Sequence, residues 1–139
     1  MKLERIRALP GPNVYLDRPV LWAVIELAQL TERESHEFPG FVERLLARLP
    51  GLREHHCAKG EPGGFVERLH GGTYFGHIVE HVALELQTRA GVAVAFGKTL
   101  YAGAPGRYDM IVEYQNEPVA NTRAAASLSA SVPVTAASG

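Results

Sequence analysis

Apolar residues recur in short runs whose spacing changes along the chain. Leu3, Ile6 and Leu9 stand three apart with charges between them, and Pro10-Gly11-Pro12 then makes a turn. A short strand is favoured, because a helix this brief is marginal and the turn cuts it off. From Val20 to Leu30, Leu21, Ala23, Ile25 and Leu27 alternate against Trp22, Val24 and Glu26, which is strand period, although alanine and leucine also tolerate a helix. Pro39 opens a helical pattern, with Phe41, Val42, Leu45, Leu46 and Leu49 at helical spacing and Pro50-Gly51 as the stop. The hexapeptide Gly40-Phe41-Val42-Glu43-Arg44-Leu45 returns as Gly64-Phe65-Val66-Glu67-Arg68-Leu69, read as two similar helix starts with an acid in the first turns rather than as a repeat architecture.

The strongest pattern follows. Phe75, Ile78, Val79, Val82 and Leu86 form an apolar stripe on a helix predicted from Thr73, as N-cap, to about Arg89, with Gly91 as its stop. Val92 to Leu100 and Tyr108 to Tyr114 read as strands joined at Gly103-Ala104-Pro105-Gly106, a predicted antiparallel hairpin. The expected fold is α+β: one compact domain over residues 1–117, a small and mostly antiparallel sheet packed with two or three helices. Residues 118–139 are dominated by Ala, Ser, Val, Thr and Pro with one arginine and no aromatic residue, so a disordered tail is expected there.

Bulk composition narrows the class. A chain of 139 residues suggests one domain with a real core. A net charge of −1 gives no basic field for nucleic acid. No apolar run reaches membrane-span length, the start lacks the build of a signal peptide, and the single Cys57 excludes an internal disulfide framework. A soluble, cytoplasmic, reduced protein is the expectation. Gly60-Glu61-Pro62-Gly63-Gly64 lacks the Lys-Ser/Thr end of a nucleotide loop, so no ATP site is expected in this chain.

The candidate chemistry lies in the long helix. His77 and His81, four apart, stack about 6 Å apart on one helix face, roughly opposite Phe75, Val79 and Leu86. With Glu80 they spell His-x-x-Glu-His, the inverted form of a zinc-peptidase signature. Two imidazoles so placed can bind one Zn2+, and Glu80 is the candidate general base. The alternative is a pair of surface or satisfied core histidines beside an ordinary exposed glutamate. A third ligand is required; Cys57, in Glu54-His55-His56-Cys57, is the first choice against a small buried hydrophobe, with His55 and Glu113 in reserve. Glu113 stands among apolar strand residues, where a carboxylate wants a partner, or else it is an edge charge facing water.

Several segments together carry a resemblance. Leu9-Pro10-Gly11-Pro12-Asn13, Phe38-Pro39-Gly40-Phe41, Glu54-His55-His56-Cys57, Gly63-Gly64-Phe65-Val66-Glu67-Arg68 and the long stretch from Gly72 to Gln87 resemble the N-terminal domain of cyanophycin synthetases. Gly91, Phe96-Gly97-Lys98-Thr99 and Val112-Glu113-Tyr114 agree in order. The resemblance implies binding of cyanophycin, a polymer of aspartate with arginine on each side chain, and in some members its hydrolysis into primers. It puts the metal on His77 and His81, the base at Glu80 and, more weakly, the third ligand at Cys57. Arg68, Glu67, Tyr74 and Glu113 are the expected polymer contacts. The family's ATP-grasp and Mur-ligase-like domains have no counterpart in this sequence, so a free-standing domain, a fragment and a truncated gene product are all compatible with it. Docking of polymer without turnover is the alternative to hydrolysis, and separate ligase domains are expected partners.

Overall fold

The structure, a computed structural model, describes residues 1–57 and 61–133. Four strands, β1 (Lys2–Leu9), β2 (Val20–Glu26), β3 (Gly97–Tyr101) and β4 (Arg107–Glu113), form one antiparallel sheet in the order β1-β2-β4-β3. Helices α1 (Phe41–Arg48), α2 (Gly64–Gly71), α3 (Phe75–Arg89) and α4 (Glu117–Ser131) complete it, with short 3-10 turns, notably Pro50–Glu54. The α+β class with a mostly antiparallel sheet stands as expected; among the described residues the α-helices number four.

The ambiguous spacing of β1 has a physical resolution. A register shift between Leu3 and Arg5 lets Leu3 face Ile25 while Ile6 faces Ala23 and Ala8 faces Leu21. One bulge thus brings residues three apart to the same face. That face is the core: Leu21, Ala23 and Ile25 are wholly buried, as are Met110 and Val112 across on β4. The opposite face is half-covered, with the Trp22 indole N–H donating to Asp109 over 2.9 Å.

α3 lies against the inner face of the sheet, and α4 packs along it. The Pro50–Glu54 turn closes another side. Consequently α3 is buried almost all round, its polar residues Glu80, His81, Glu85 and Gln87 included. His77 and His81 do lie off the apolar stripe, but their side of the helix is covered too, by Phe65 of α2.

Two boundaries differ from expectation. Only Gly97 onward of the segment from Val92 joins the sheet. The amides of Ala95 and Phe96 donate instead to Glu113 Oε1, at 3.0 and 3.2 Å, so a side chain takes the bonds a ladder would have used. The expected tail is α4 through Ser131, and only residues 134–139 lie outside the described residues. Asn116 caps it by accepting from the Val119 amide, and Pro118 sits in its first turn, where a missing N–H costs nothing. Ala120, Ala124, Ser127, Leu128 and Ser131 are its buried face. Low hydrophobicity suggested disorder, yet alanine is the best helix former and small side chains let α4 settle closely on α3.

Candidate metal centre

The two histidines converge on the cysteine. Cys57 Sγ lies 3.6 Å from His77 Nε2 and 3.9 Å from His81 Nε2. The three donor atoms all fall within 4.8 Å of one another. A thiolate and an imidazole on one tetrahedral Zn2+ are separated by an edge of about 3.6 Å, given bonds of about 2.3 and 2.0–2.1 Å. Donor type, count and spacing therefore fit a three-ligand zinc site with an open position.

Each imidazole is aimed by a neighbour. His77 Nδ1 sits 2.9 Å from Thr73 Oγ1. Thr73 thus does not cap α3; Tyr74 occupies that position, and the Thr73 hydroxyl is spent on the imidazole. His81 Nδ1 meets His55 Nδ1 at 2.9 Å, and His55 Nε2 reaches Glu85 Oε1 at 3.0 Å. Phe65 stacks on the His81 ring at 4.0 Å and 15°, and presents its ring edge-on against His77. Burial pushes the His77 pKa down to about 4, with Arg68 adding to it. It pushes His81 to about 2, helped by the surrounding imidazoles. Both rings are therefore neutral at pH 7, the state that donates a lone pair to a metal. Burial raises the Cys57 pKa, which favours the neutral thiol, and a cation beside it would favour the thiolate.

Glu80 is buried rather than an exposed helix glutamate. Its Oε1 accepts from the Thr99 hydroxyl at 2.6 Å, and its Oε2 lies 3.6 Å from His81 Nε2. Burial raises its pKa to about 7, against the Thr99 bond, which lowers it. With His81 neutral, that contact is not an ion pair. A carboxyl poised near neutrality, one side tied and one side free, can accept and return a proton at physiological pH. Gly97 makes room for it: a Cβ there would stand 2.8 Å from Glu80 Cγ and 2.9 Å from Oε2.

His56, Cys57, Arg68, His77, Glu80, His81, Phe96, Gly97 and Thr99 line one open cleft of about 510 Å³. Of the expected polymer contacts only Arg68 lines it. Glu67 is exposed on α2, and Tyr74 is half-exposed and bridged to Glu34. Glu113 lies elsewhere, bonded to Arg18 and to the Ala95 and Phe96 amides, so it shapes the cleft wall from behind. His55 stands behind His81 rather than in the donor set. Sequence reasoning missed Thr73 as an orienting group, Thr99, Phe65 and Glu85. Glu85 alone left a signal: His77, His81 and Glu85 continue one four-residue period along α3.

Comparison with known proteins gives a consistent answer. A family model described as a cyanophycin synthase-like N-terminal domain matches residues 23–134. The cyanophycin synthetase of Trichormus variabilis is 45% identical over 119 residues, 84% of this chain and 13% of that protein. Those of a Synechocystis strain and of Crocosphaera subtropica are 45% and 44% identical over the same length, 14% of each. The chain thus spans about a seventh of the relatives it matches. Among the described residues no helix is long and apolar enough to cross a membrane. With a match over most of its length, the chain belongs to the family of cyanophycin synthase-like N-terminal domains.

Proposed function

We propose that this domain serves cyanophycin biosynthesis by binding the Asp-Arg polymer in the cleft and cutting it hydrolytically at a zinc centre. The observation that carries the reading is the convergence of Cys57 Sγ and two histidine Nε2 atoms beside a buried glutamate with a pKa near 7. Cys57, His77 and His81 would hold the ion. Zinc, when bound, supplies a Lewis acid and brings the pKa of its water near neutrality.

The chain's own groups supply the rest. Glu80 takes a proton on its free oxygen and returns it to the leaving amine, while Thr99 keeps its other oxygen from turning away. Phe65 shields the imidazole faces from water and fixes their planes. Arg68, at the cleft wall, offers a planar cation to the carboxylates of a polymer that carries both signs of charge. An open cleft suits a chain threading past the site better than a small molecule enclosed in it.

The test is Glu80→Gln on the zinc-loaded domain with soluble cyanophycin. Metal content is expected to stay while release of short peptides falls at least a hundredfold, the usual scale for a lost general base. An unchanged cleavage rate removes Glu80 from the chemistry. Polymer retention by wild-type protein without any cleavage, unaffected by a chelator, establishes the docking role in place of hydrolysis.

A further inference from the structure

The chain Glu85–His55–His81 runs inward from the cleft to a buried carboxylate, and the direction of its hydrogen bonds is determined by its far end. An ionised carboxylate can only accept. Glu85 Oε1, 3.0 Å from His55 Nε2, therefore makes that nitrogen the protonated one. A His55 ring that carries a single proton is then left with a bare Nδ1 as an acceptor. Its partner at 2.9 Å is His81 Nδ1, which then carries the proton. His81 Nε2, the atom that faces Cys57, is left as a lone pair. The reverse polarity at His81 would need a proton on Glu85 or a second proton on His55. Ring rotation is blocked as well, since Phe65 lies flat on His81. The far end is itself wedged: the Pro50–Glu54 turn abuts Glu85 so closely that a Cβ on Gly51 would overlap its carboxylate.

We infer that His55 and Glu85 are positioning residues, a carboxylate–imidazole relay that fixes His81 as the Nδ1–H tautomer and presents its Nε2 to the metal position. The inference deepens the zinc reading above and rests on it for its purpose, though not for its geometry. Outer partners of this kind orient a ligand and raise its basicity, and their loss typically weakens metal binding by about ten- to a hundredfold. His55 is thus assigned to the support of the site, not to its ligand set. Glu85 gains a role that its place on an all-round buried helix does not suggest.

Two readouts test it. In the metal-free wild-type chain, nitrogen-15 spectra of the imidazoles are expected to show His81 protonated on Nδ1 and His55 on Nε2. In competition with a chromophoric chelator, Glu85→Ala and His55→Ala are expected to keep one zinc per chain but bind it about ten- to a hundredfold more weakly. Gly51→Ala, which displaces the carboxylate without removing it, is expected to weaken zinc in the same direction and covers the case in which a deletion unfolds the protein. His81 found as the Nε2–H tautomer, or zinc affinity unchanged in all three variants, overturns the relay. A wild-type chain that takes up no zinc but shows the expected tautomers removes the metal from the proposed function and leaves the relay standing.

Discussion

Glu113 shows how a residue outside the cleft lining holds the cleft wall in place. Burial pushes its carboxyl up, but the Ala95 and Phe96 amides and Arg18 together outweigh that and hold its pKa below the ordinary carboxylate value. A folded-state pKa lowered in this way contributes stability that is fully present above the unfolded value of about 4.3 and is lost as pH falls through the folded value. Glu113→Gln is expected to cost about 1.5–3 kcal/mol at pH 7, the scale of hydrogen bonds to a charged group. Urea unfolding of wild type and variant should show that gap closing as the pH drops below 4; a gap independent of pH would deny Glu113 this charge-dependent role. At this scale the sequence was partly legible. His77, Glu80 and His81 announce themselves by spacing, whereas Thr73, Thr99 and Phe65 are ordinary residues given meaning by what the fold sets against them. The pairing of Cys57 with α3 spans twenty residues of chain and has no local signature.

Among the elements, α4 is where composition misled. Its sequence carries almost none of the large apolar residues by which a buried helix is normally recognised, yet Ala120 and Ala124 are each only 1% exposed against α3. Small residues work here because closeness replaces bulk. The corollary is intolerance of size: Ala124→Leu is expected to lower unfolding free energy by about 1–3 kcal/mol through overpacking. Chemical denaturation measures this directly, and a neutral or stabilising result would mean that α4 is not seated on α3. The same closeness helps explain the buried polar groups of α3, a helix covered over most of its circumference. β1 teaches the opposite lesson. Its three-residue spacing was ambiguous, its brevity and the Pro-Gly-Pro turn favoured a strand, and one bulge explains why Leu3 and Ile6 share a face.

For the molecule as a whole, the site joins parts distant in sequence. Cys57 precedes α2, His77 and His81 lie on α3, and Thr99 and Gly97 come from the edge strand β3. A metal bound by these donors would tie the chain before α2 to the central helix, and binding restricted to the folded state stabilises it by mass action. Zinc at a hundredfold excess over its dissociation constant is expected to add about 2.7 kcal/mol. The thermal midpoint should therefore rise with zinc, fall back with a chelator, and respond to neither in His77→Ala. Family membership accounts for the fold and for the place of the long helix, while the chemistry rests on these few side chains. The most direct measurement of that chemistry is the zinc content of the purified chain after equilibrium dialysis, set beside Cys57→Ser, His77→Ala and His81→Ala. One zinc per wild-type chain and loss of stoichiometric binding in each variant are expected; a wild-type chain without zinc, or variants that retain a full equivalent, would contradict a zinc centre at Cys57, His77 and His81.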